Sequence, residues 1–374
     1  MTSYFKPISK YMLRVPLHPN SLMERFYDIE KSIEAIKNDT FLCEQLLVAS
    51  ENIYKTLVNK DFSTLSKKKK RNLIASLGNY INRAATRTTP FGLFTGVGIL
   101  DLKKTEASKP SKINIKKKSR IDAEWLFKLI KKIEVEHFYD LKFKMNTASY
   151  RKGNRLHIPY NLDGKTVEIN VNYSKPLMLI EKLCIKEHVS FKKMVRALQE
   201  RYPKRDVDDL VAYVKTLIEK EFIISEIRPP LCNTNLLTYT INELSKIPFL
   251  YEKYGKPLNE VDVLIGKYND APIGQGTKNY LTIQEKLRRI HSFTNEKYLQ
   301  VDTKLDVDGI YINERDIKNI NKCITLLMKF ASEIDDSKSY KNIFEEYRLK
   351  FIEKFGTYVE VPIADVLDEV NGIG

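Results

Sequence analysis

Residues 71–98, RNLIASLGNYINRAATRTTPFGLFTGVG, constrain the chain most, because they prescribe a helix, a forced stop and a strand in immediate succession. Leu73, Leu77, Tyr80, Ile81 and Ala84 recur at three- and four-residue steps, the spacing of one buried helical stripe. Arg83 and Arg87 are four apart, so on a continuous helix they stack on one face and can grip a single anion together. Thr88-Thr89-Pro90 ends the helix, since a residue before proline is pushed out of the helical region. Phe91-Gly92 turns the chain, and Leu93 to Leu100, interrupted by Gly96 and Gly98, reads as a buried strand. The residue pattern leaves two readings open here: a surface arginine pair at an ordinary corner, or a site for phosphate or carboxylate.

The letters Arg83-x-x-x-Arg87-x-Thr89-Pro90-Phe91-Gly92-Leu93-Phe94-x-Gly96 resemble the signature of the N-terminal domain of lantibiotic dehydratases, with Thr95 where many members have alanine. The resemblance implies transfer of glutamate from glutamyl-tRNA to serine and threonine side chains of a ribosomally made precursor peptide. A separate domain then eliminates the glutamate. It assigns Arg83, Arg87, Thr89, Arg14, Asp122 and Asp302 to the glutamylation site. Arg14 lies in an R-x-P context, and Asp302 in a V-D-T segment.

A chain of 374 residues with 43% hydrophobic content is long enough for two or three units with real cores. Its net charge of +15 suits a polyanionic partner, although a lysine-rich surface alone gives the same count. Cys43, Cys184, Cys232 and Cys323 form no CxxC or Cys/His cluster and read as reduced, mostly buried thiols. The start, MTSYFKPISKYMLRVPL, lacks the apolar core of a signal peptide, and no stretch approaches a membrane span, so a cytoplasmic protein is expected.

In chain order, Met1 to Pro19 reads as extended, with Arg14 opposite Leu13 and Val15. Helices are expected at Leu22 to Lys37 and Thr40 to Val58, capped by Ser21 and Thr40. Lys67, Lys68, Lys69 and Lys70 open the signature helix as a basic run, either a solvated face or a track for a phosphate backbone. From Asp101 to Arg120 a second basic stretch carries Lys103, Lys104, Lys109, Lys112, Lys116, Lys117, Lys118 and Arg120, almost without counter-charge. It is the expected docking surface for RNA. Asp122 reads as the N-cap of a helix through Ile133.

From residue 145 the character changes. Strands flank a turn at Asp163-Gly164, helices follow at Pro176–Lys186, Ser190–Arg201 and Asp206–Glu221, and the strand Phe222–Ile227 closes the segment. This is the layout of a winged helix-turn-helix. The helix from Asp206 is acidic at the end that would approach bases, so no DNA partner is expected. The family resemblance implies a leader-peptide recognition element instead, with the leader added as a strand beside Thr166, Val167, Ile169 and Val171 and against Leu210, Tyr213, Val214 and Leu217. Ser225-Glu226-Ile227-Arg228-Pro229-Pro230 resembles the family's S-E-x-R-P-P segment and marks a rigid exit.

Beyond it, helices are expected at Asn235–Lys253 and Thr282–Thr294 around a weakly patterned stretch, whose Gly266, Gly274 and Gly276 make no phosphate loop. Glu314–Ile334 and Ser339–Phe355 read as amphipathic helices. The tail GTYVEVPIADVLDEVNGIG resembles a segment after which longer relatives continue, so a truncated chain, a split gene or a fragment is expected. His18, His137, His157, His188 and His291 have no motif partners, and neither a metal nor a nucleophilic triad is expected.

The expected fold is mixed α/β (α+β), multi-subdomain, with the winged element embedded. It comprises the first part of a glutamylation domain at 1–144, leader recognition at 145–228, and the continuation of the domain at 229–374. Glutamyl-tRNA is the expected co-substrate, with no bound cofactor. The precursor peptide, an elimination-domain or cyclase protein and a second copy of the chain are the expected partners. The alternative is a non-catalytic leader-binding protein that delivers the precursor to an enzyme. A relative that ligates an amino acid to a peptide end is a third reading.

Overall fold

The computed structural model describes residues 10–102, 113–159, 169–232, 235–292, 297–307, 311–312, 314–334, 338–368 and 372–373. The chain forms two compact units: Met12–Leu100 with Pro110–Gly309, and Met1–Tyr11 with Asp101–Lys109 and Ile310–Gly374. Mixed α/β architecture is what the pattern called for.

The larger unit opens with β1 (Lys10–Pro16), whose later residues belong to it. Four short helices follow, α1 (Ser21–Arg25), α2 (Ile33–Asn38), α3 (Thr40–Ala49) and α4 (Glu51–Asn59). The two long helices expected here are therefore each broken, and their caps differ from expectation. Ser21 and Thr40 lie inside helices, while Asp39 accepts the Leu42 N–H at 3.0 Å. An aspartate is the better cap because its ionised oxygen faces the helix dipole. Then comes α5 (Lys67–Thr86), capped by Ser66, with Leu73, Leu77, Ile81, Ala84 and Ala85 buried. These residues pack against Leu42, Leu46 and Phe94 in one core cluster, realising the stripe that the spacing dictated.

Next are β2 (Thr95–Leu102), β3 (Ile113–Ile121), α6 (Ala123–Glu136) and, after the central module, α10 (Leu236–Leu244), α11 (Pro248–Leu250), α12 (Lys256–Asp270), α13 (Thr277–Ile290) and β10 (Leu299–Val307). The weakly patterned stretch before Thr282 is thus α12 and the start of α13; a five-residue π-turn at Tyr251–Gly255 shifts the helical phase just ahead of it. The main sheet has strand order β1-β2-β10-β3, with β10 parallel to β2 and antiparallel to β3. Gly96 and Gly98 are required by the close approach of β10. A Cβ on Gly96 would lie 2.4 Å from Leu305 Cδ2, and one on Gly98 2.7 Å from Val307 Cγ2.

The central module comprises β4 (Lys142–Met145), β5 (Tyr150–Lys152), β6 (Arg155–Ile158), β7 (Ile169–Asn172), α7 (Lys175–Cys184), β8 (Val189–Ser190), α8 (Phe191–Arg201), α9 (Val207–Glu219) and β9 (Ile223–Ser225). Its strands form two small sheets, β8-β4-β9 and β5-β6-β7. Ser190 and Asp206 cap α8 and α9, as expected. The side chains of this module share one continuous core with α6, α10 and α12.

In the smaller unit, β11 (Tyr311–Ile312) pairs in parallel with Asp101 and Leu102. The helices α14 (Glu314–Ile334), α15 (Lys338–Phe355) and α16 (Ile363–Val366) complete it. No described helix is long and apolar enough to cross a membrane.

Candidate functional site

The signature corner is built as a rigid turn. Helix α5 ends at Thr86, and Arg87 is its extended cap, with φ −96° and ψ 125°. Arg83 and Arg87 therefore do not stack on one continuous helical face. The chain leaves the helix two residues before Thr89, the residue that the proline at 90 restricts. The corner is instead held by bonds to its main chain. Thr95 Oγ1 donates to the Arg87 carbonyl at 2.9 Å, Thr303 Oγ1 to the Gly92 carbonyl at 3.2 Å, and Gln45 Nε2 to the Leu93 carbonyl at 2.7 Å. Gly92 has φ +53°, the left-handed backbone for which glycine is suited.

The guanidinium of Arg83 stacks 4.3 Å from the centre of the Phe91 ring, and its buried Nε has no hydrogen-bond partner. Among the described residues neither Arg83 nor Arg87 has a carboxylate partner. Arg87 and Thr89 are exposed. An open groove of about 630 Å³, lined by Val15, Leu17, His18, Ala85 and Thr86 among others, runs beside this corner.

Asp302 and Arg120 face the open side of the main sheet, joined by Arg120 Nη1 to Asp302 Oδ2 at 3.0 Å. Thr303, next to Asp302, pairs with Gly96 of β2, so this ion pair lies close along the sheet to the Thr95 end of the corner. Arg14 is exposed on β1, opposite half-buried Leu13 and Val15, and its Nε lies 3.3 Å from Met12 Sδ. Asp122 caps α6, accepting the N–H groups of Glu124 and Trp125. Its own N–H is tied to the Tyr298 carbonyl, immediately before β10.

The expected RNA-docking residues separate into distinct environments. Lys67, Lys68 and Lys69 are exposed on the first turn of α5 without acidic partners among the described residues, and Lys70 lies over the Phe62 ring. In β3, Lys116 pairs with Asp306 at 2.6 Å and Arg120 with Asp302, while Lys118 is exposed. Lys116 and Lys304 hold the Asp306 carboxyl down at about 2. Lys103, Lys104, Lys109 and Lys112 lie outside the described residues.

Lys117 is a correction. The strand alternation turns it inward, and its side chain is 1% exposed. Its Nζ donates to Glu44 Oε1 at 2.8 Å and lies 4.0 Å from the centre of the Tyr268 ring. Burial pulls the Lys117 pKa down, against the hydrogen bond and charge of Glu44. Glu44 Oε2 accepts the N–H groups of Gly274 at 2.6 Å and Gly276 at 2.9 Å. The G-x-G at 274–276 thus cradles the protein's own carboxylate. A Cβ on Gly276 would meet Lys117 Nζ at 2.3 Å, a restriction invisible until α3, β3 and the α12–α13 loop come together.

Residues 38–374 match the model of the family described as "Lantibiotic dehydratase, N terminus". The chain belongs to this family. It is 32% identical over 377 residues to the subtilin biosynthesis protein SpaB of Bacillus subtilis, covering 100% of this chain and 36% of that protein. It is 28% identical to the nisin biosynthesis protein NisB of Lactococcus lactis subsp. lactis, covering 93% of this chain and 34% of that protein. The chain thus spans little more than a third of the length of these relatives. Its fold is similar to that of the tRNA-dependent lantibiotic dehydratase MibB from Microbispora sp. 107891, with a TM-score of 0.73 at 21% identity over 98% of this chain and 35% of that one. The glutamylation domain of TbtB, from thiomuracin biosynthesis, aligns with a TM-score of 0.60 at 13% identity, over 92% of this chain and 42% of that one.

In this lantibiotic dehydratase domain the S-E-x-R-P-P segment acts as a clamp. Arg228 donates to Glu134 Oε2 at 2.5 Å and to Glu221 Oε2 at 3.0 Å, and Ser225 donates to Glu134 Oε1 through both N–H and Oγ. All three charged side chains are at most 7% exposed. The exit from the central module is thereby locked to the end of α6, and sequence reasoning missed Glu134 because nothing in a helical heptad marks a buried glutamate.

The expected peptide-binding residues also divide. Ile169 and Val171 lie half-buried on β7, which pairs with β6 and has no second strand partner among the described residues. Tyr213 is half-buried on α9. Leu210, Val214 and Leu217 are corrected to core: they are 7%, 0% and 2% exposed, because α9 turns its apolar stripe into the shared interior. Thr166 and Val167, with the turn at Asp163-Gly164, lie outside the described residues. Cys43 and Cys184 are buried, and burial pushes their thiols up to about 11 and about 12. Cys232 and Cys323 are exposed, against the expectation of mostly buried thiols.

Proposed function

We propose that the chain carries out tRNA-dependent glutamylation of serine and threonine side chains in a precursor peptide, with glutamyl-tRNA as co-substrate and no bound cofactor. The carrying observation is the corner itself: Arg83 and Arg87 have no acidic partner among the described residues, beside an open groove, in a chain of this family. A solved neighbour is described as a tRNA-dependent lantibiotic dehydratase, and another as a glutamylation domain bound to 5′-phosphodesmethylglutamycin, which supports an aminoacyl-transfer reading.

In this reading the arginines hold the acceptor-end phosphate or the glutamyl carboxylate, Thr89 shapes the pocket, and Arg14, Asp122 and Asp302 orient amine or guanidinium groups. The acceptor hydroxyl oxygen attacks the carbonyl carbon of the tRNA ester. The new ester C–O bond forms as the bond between that carbonyl carbon and the ribose oxygen breaks, and the hydroxyl proton passes to the departing ribose oxygen. Such a donor arrives activated, so positioning and charge stabilisation supply most of the catalysis. Lys67 to Lys70 contact the tRNA backbone. Residues 145–228 receive the leader as an added strand beside β7, with Ile169, Val171 and Tyr213 as the apolar wall. Residues 1–144 and 229–374 make up this chain's part of the transferase.

The test is mass spectrometry of the precursor peptide after incubation with glutamyl-tRNA. Arg87→Ala is expected to abolish the glutamyl mass gain while leader affinity stays as in the wild type; undiminished gain removes Arg87 from the site. A chain that binds leader and never transfers glutamate would be the delivery protein of the second reading.

A further inference from the structure

The sheet β8-β4-β9 has one buried face. Phe143, Met145, Ile223 and Ser225 turn into the interior, so strand alternation sends Lys144 and Ile224 the other way, where the antiparallel register sets them directly opposite each other. Continuing the β4–β8 register past Phe143 and Val189 puts His188 on the other flank of Lys144. These three residues line a cavity of about 520 Å³, walled also by Phe127 of α6, Tyr239 of α10 and residues 229–232 of the exit segment. It shares no residue with the groove at the arginine corner. Its size and its many apolar side chains are those of a small-molecule site.

Most polar groups of the lining are already engaged. Arg228 is held by Glu134 and Glu221, Asn146 Nδ2 donates to the Glu221 carbonyl at 2.9 Å, and Tyr239 Oη donates to the Glu226 carbonyl at 3.3 Å. Lys144 is different. Its side chain is half-buried and has no carboxylate partner among the described residues, and the ring of His188 makes no hydrogen bond to them. Burial first, then the charge of Lys144, hold the His188 pKa below its ordinary value, against the pull of Glu243. The cavity therefore offers one cation and one neutral ring N–H at the sheet, with apolar walls beside them.

A peptide strand does not match this arrangement. Strand addition needs a free edge, and β4 has a partner on each side. A phosphate dianion does not match either, since a single unpaired ammonium is there to meet it. One cation at one end of an apolar space fits one anion at one end of an apolar body. We infer that this cavity binds a medium-chain monocarboxylic acid, with its carboxylate on Lys144 and His188 and its tail between Phe127, Ile224 and the exit prolines. Such a ligand ties α6, α10 and β4 to the segment that leaves the central module, and it requires nothing of the glutamyl-transfer reading.

The probe is decanoate below its micellar concentration, with decanol as the uncharged control. Binding is read by calorimetry and by the rate at which iodoacetamide alkylates each exposed cysteine, followed by mass spectrometry. Decanoate is expected to bind about tenfold tighter than decanol, the equivalent of one charged hydrogen bond. It is expected to slow alkylation of Cys232, in the cavity wall, and not of Cys323 on α14. Lys144→Met is expected to lower decanoate to the affinity of decanol and to leave decanol within about twofold of its wild-type value. Ile224→Trp fills the space and is expected to remove both, with the fold checked by circular dichroism.

Absence of decanoate binding, equal binding of decanoate and decanol by wild type, or an undiminished preference in Lys144→Met overturns the site. Slowing of Cys232 and Cys323 alike is surfactant behaviour and overturns it as well. Displacement of bound decanoate by the leader peptide would give the cavity to the peptide instead.

Discussion

The run KKKKR at 67–71 opens a helix, and the run KKKSR at 116–120 lies in a strand. On the helix, Lys67 to Lys69 and Arg71 are exposed with no carboxylate bound to them among the described residues. In the strand, period-two alternation buries Lys117 and Ser119, and Asp306 and Asp302 on the neighbouring strand, opposite Asn114 and Lys118, reach diagonally to Lys116 and Arg120. Two similar basic runs, KKKKR and KKKSR, therefore become an open cationic end in one place and a largely neutralised, partly internal ladder in the other. Counting lysines predicts a polyanion surface only where secondary structure leaves them all on the outside. The first run begins roughly 24 Å along α5 from Arg83, at 1.5 Å per residue.

The sharpest break of this comparison is at Glu44. Glu44→Gln leaves Lys117 as a buried, unmatched charge and is expected to destabilise the domain by about 3–5 kcal/mol in urea denaturation, with Glu44→Gln/Lys117→Met recovering much of it. A loss below about 1 kcal/mol would mean that Lys117 reaches solvent as the other lysines do.

Next in size is the effect on RNA. Replacing Lys67, Lys68, Lys69 and Lys70 together by alanine is expected to lower the slope of log affinity for tRNA against log salt by about 3, with stability within about 0.5 kcal/mol of wild type. An unchanged slope would make the run a merely solvated face.

A smaller effect is expected at the exposed end of the ladder. Arg120→Ala breaks a pair whose side chains are 60% and 41% exposed, so the cost in stability should be about 0.2–1 kcal/mol. A cost like that of Glu44→Gln would show Arg120 to be structural.

The smallest effect is on acid stability. Lys116 and Lys304 hold the half-buried Asp306 carboxyl at about 2, below its ordinary value of 3.8. Its contribution is therefore complete above the ordinary value and is lost as pH falls through about 2. Asp306→Asn should therefore show a small, constant deficit in stability above pH of about 5 that disappears as pH falls to about 2, and a deficit that persists at the acid end would point to another cause.

Legibility followed the reach of each interaction. The stripe on α5, the caps at Asp122, Ser190 and Asp206, and the β6–β7 pairing depend on neighbours a few residues away or on simple alternation, and they could be read directly. The long helices that the apolar spacing predicts after Ser21 are shorter in the structure, because apolar residues continue through the breaks between Arg25 and Ile33 and at Ser50, whose backbone is extended. Of the candidate site, the arginine corner was recognisable as a motif, but the arginines' separation on either side of the helix end was not.

Local pattern by itself determined a mixed α/β chain of the lantibiotic dehydratase family, with its signature corner and a basic balance, since periodicity, caps and motif letters act over short separations. Tertiary structure alone decided which charges remain available. Glu44 and Lys117 are 73 residues apart, and Glu134 and Arg228 are 94 apart. Whether such a group is a surface cation or half of an internal pair depends on which distant segment covers it, and desolvation makes that choice energetically decisive.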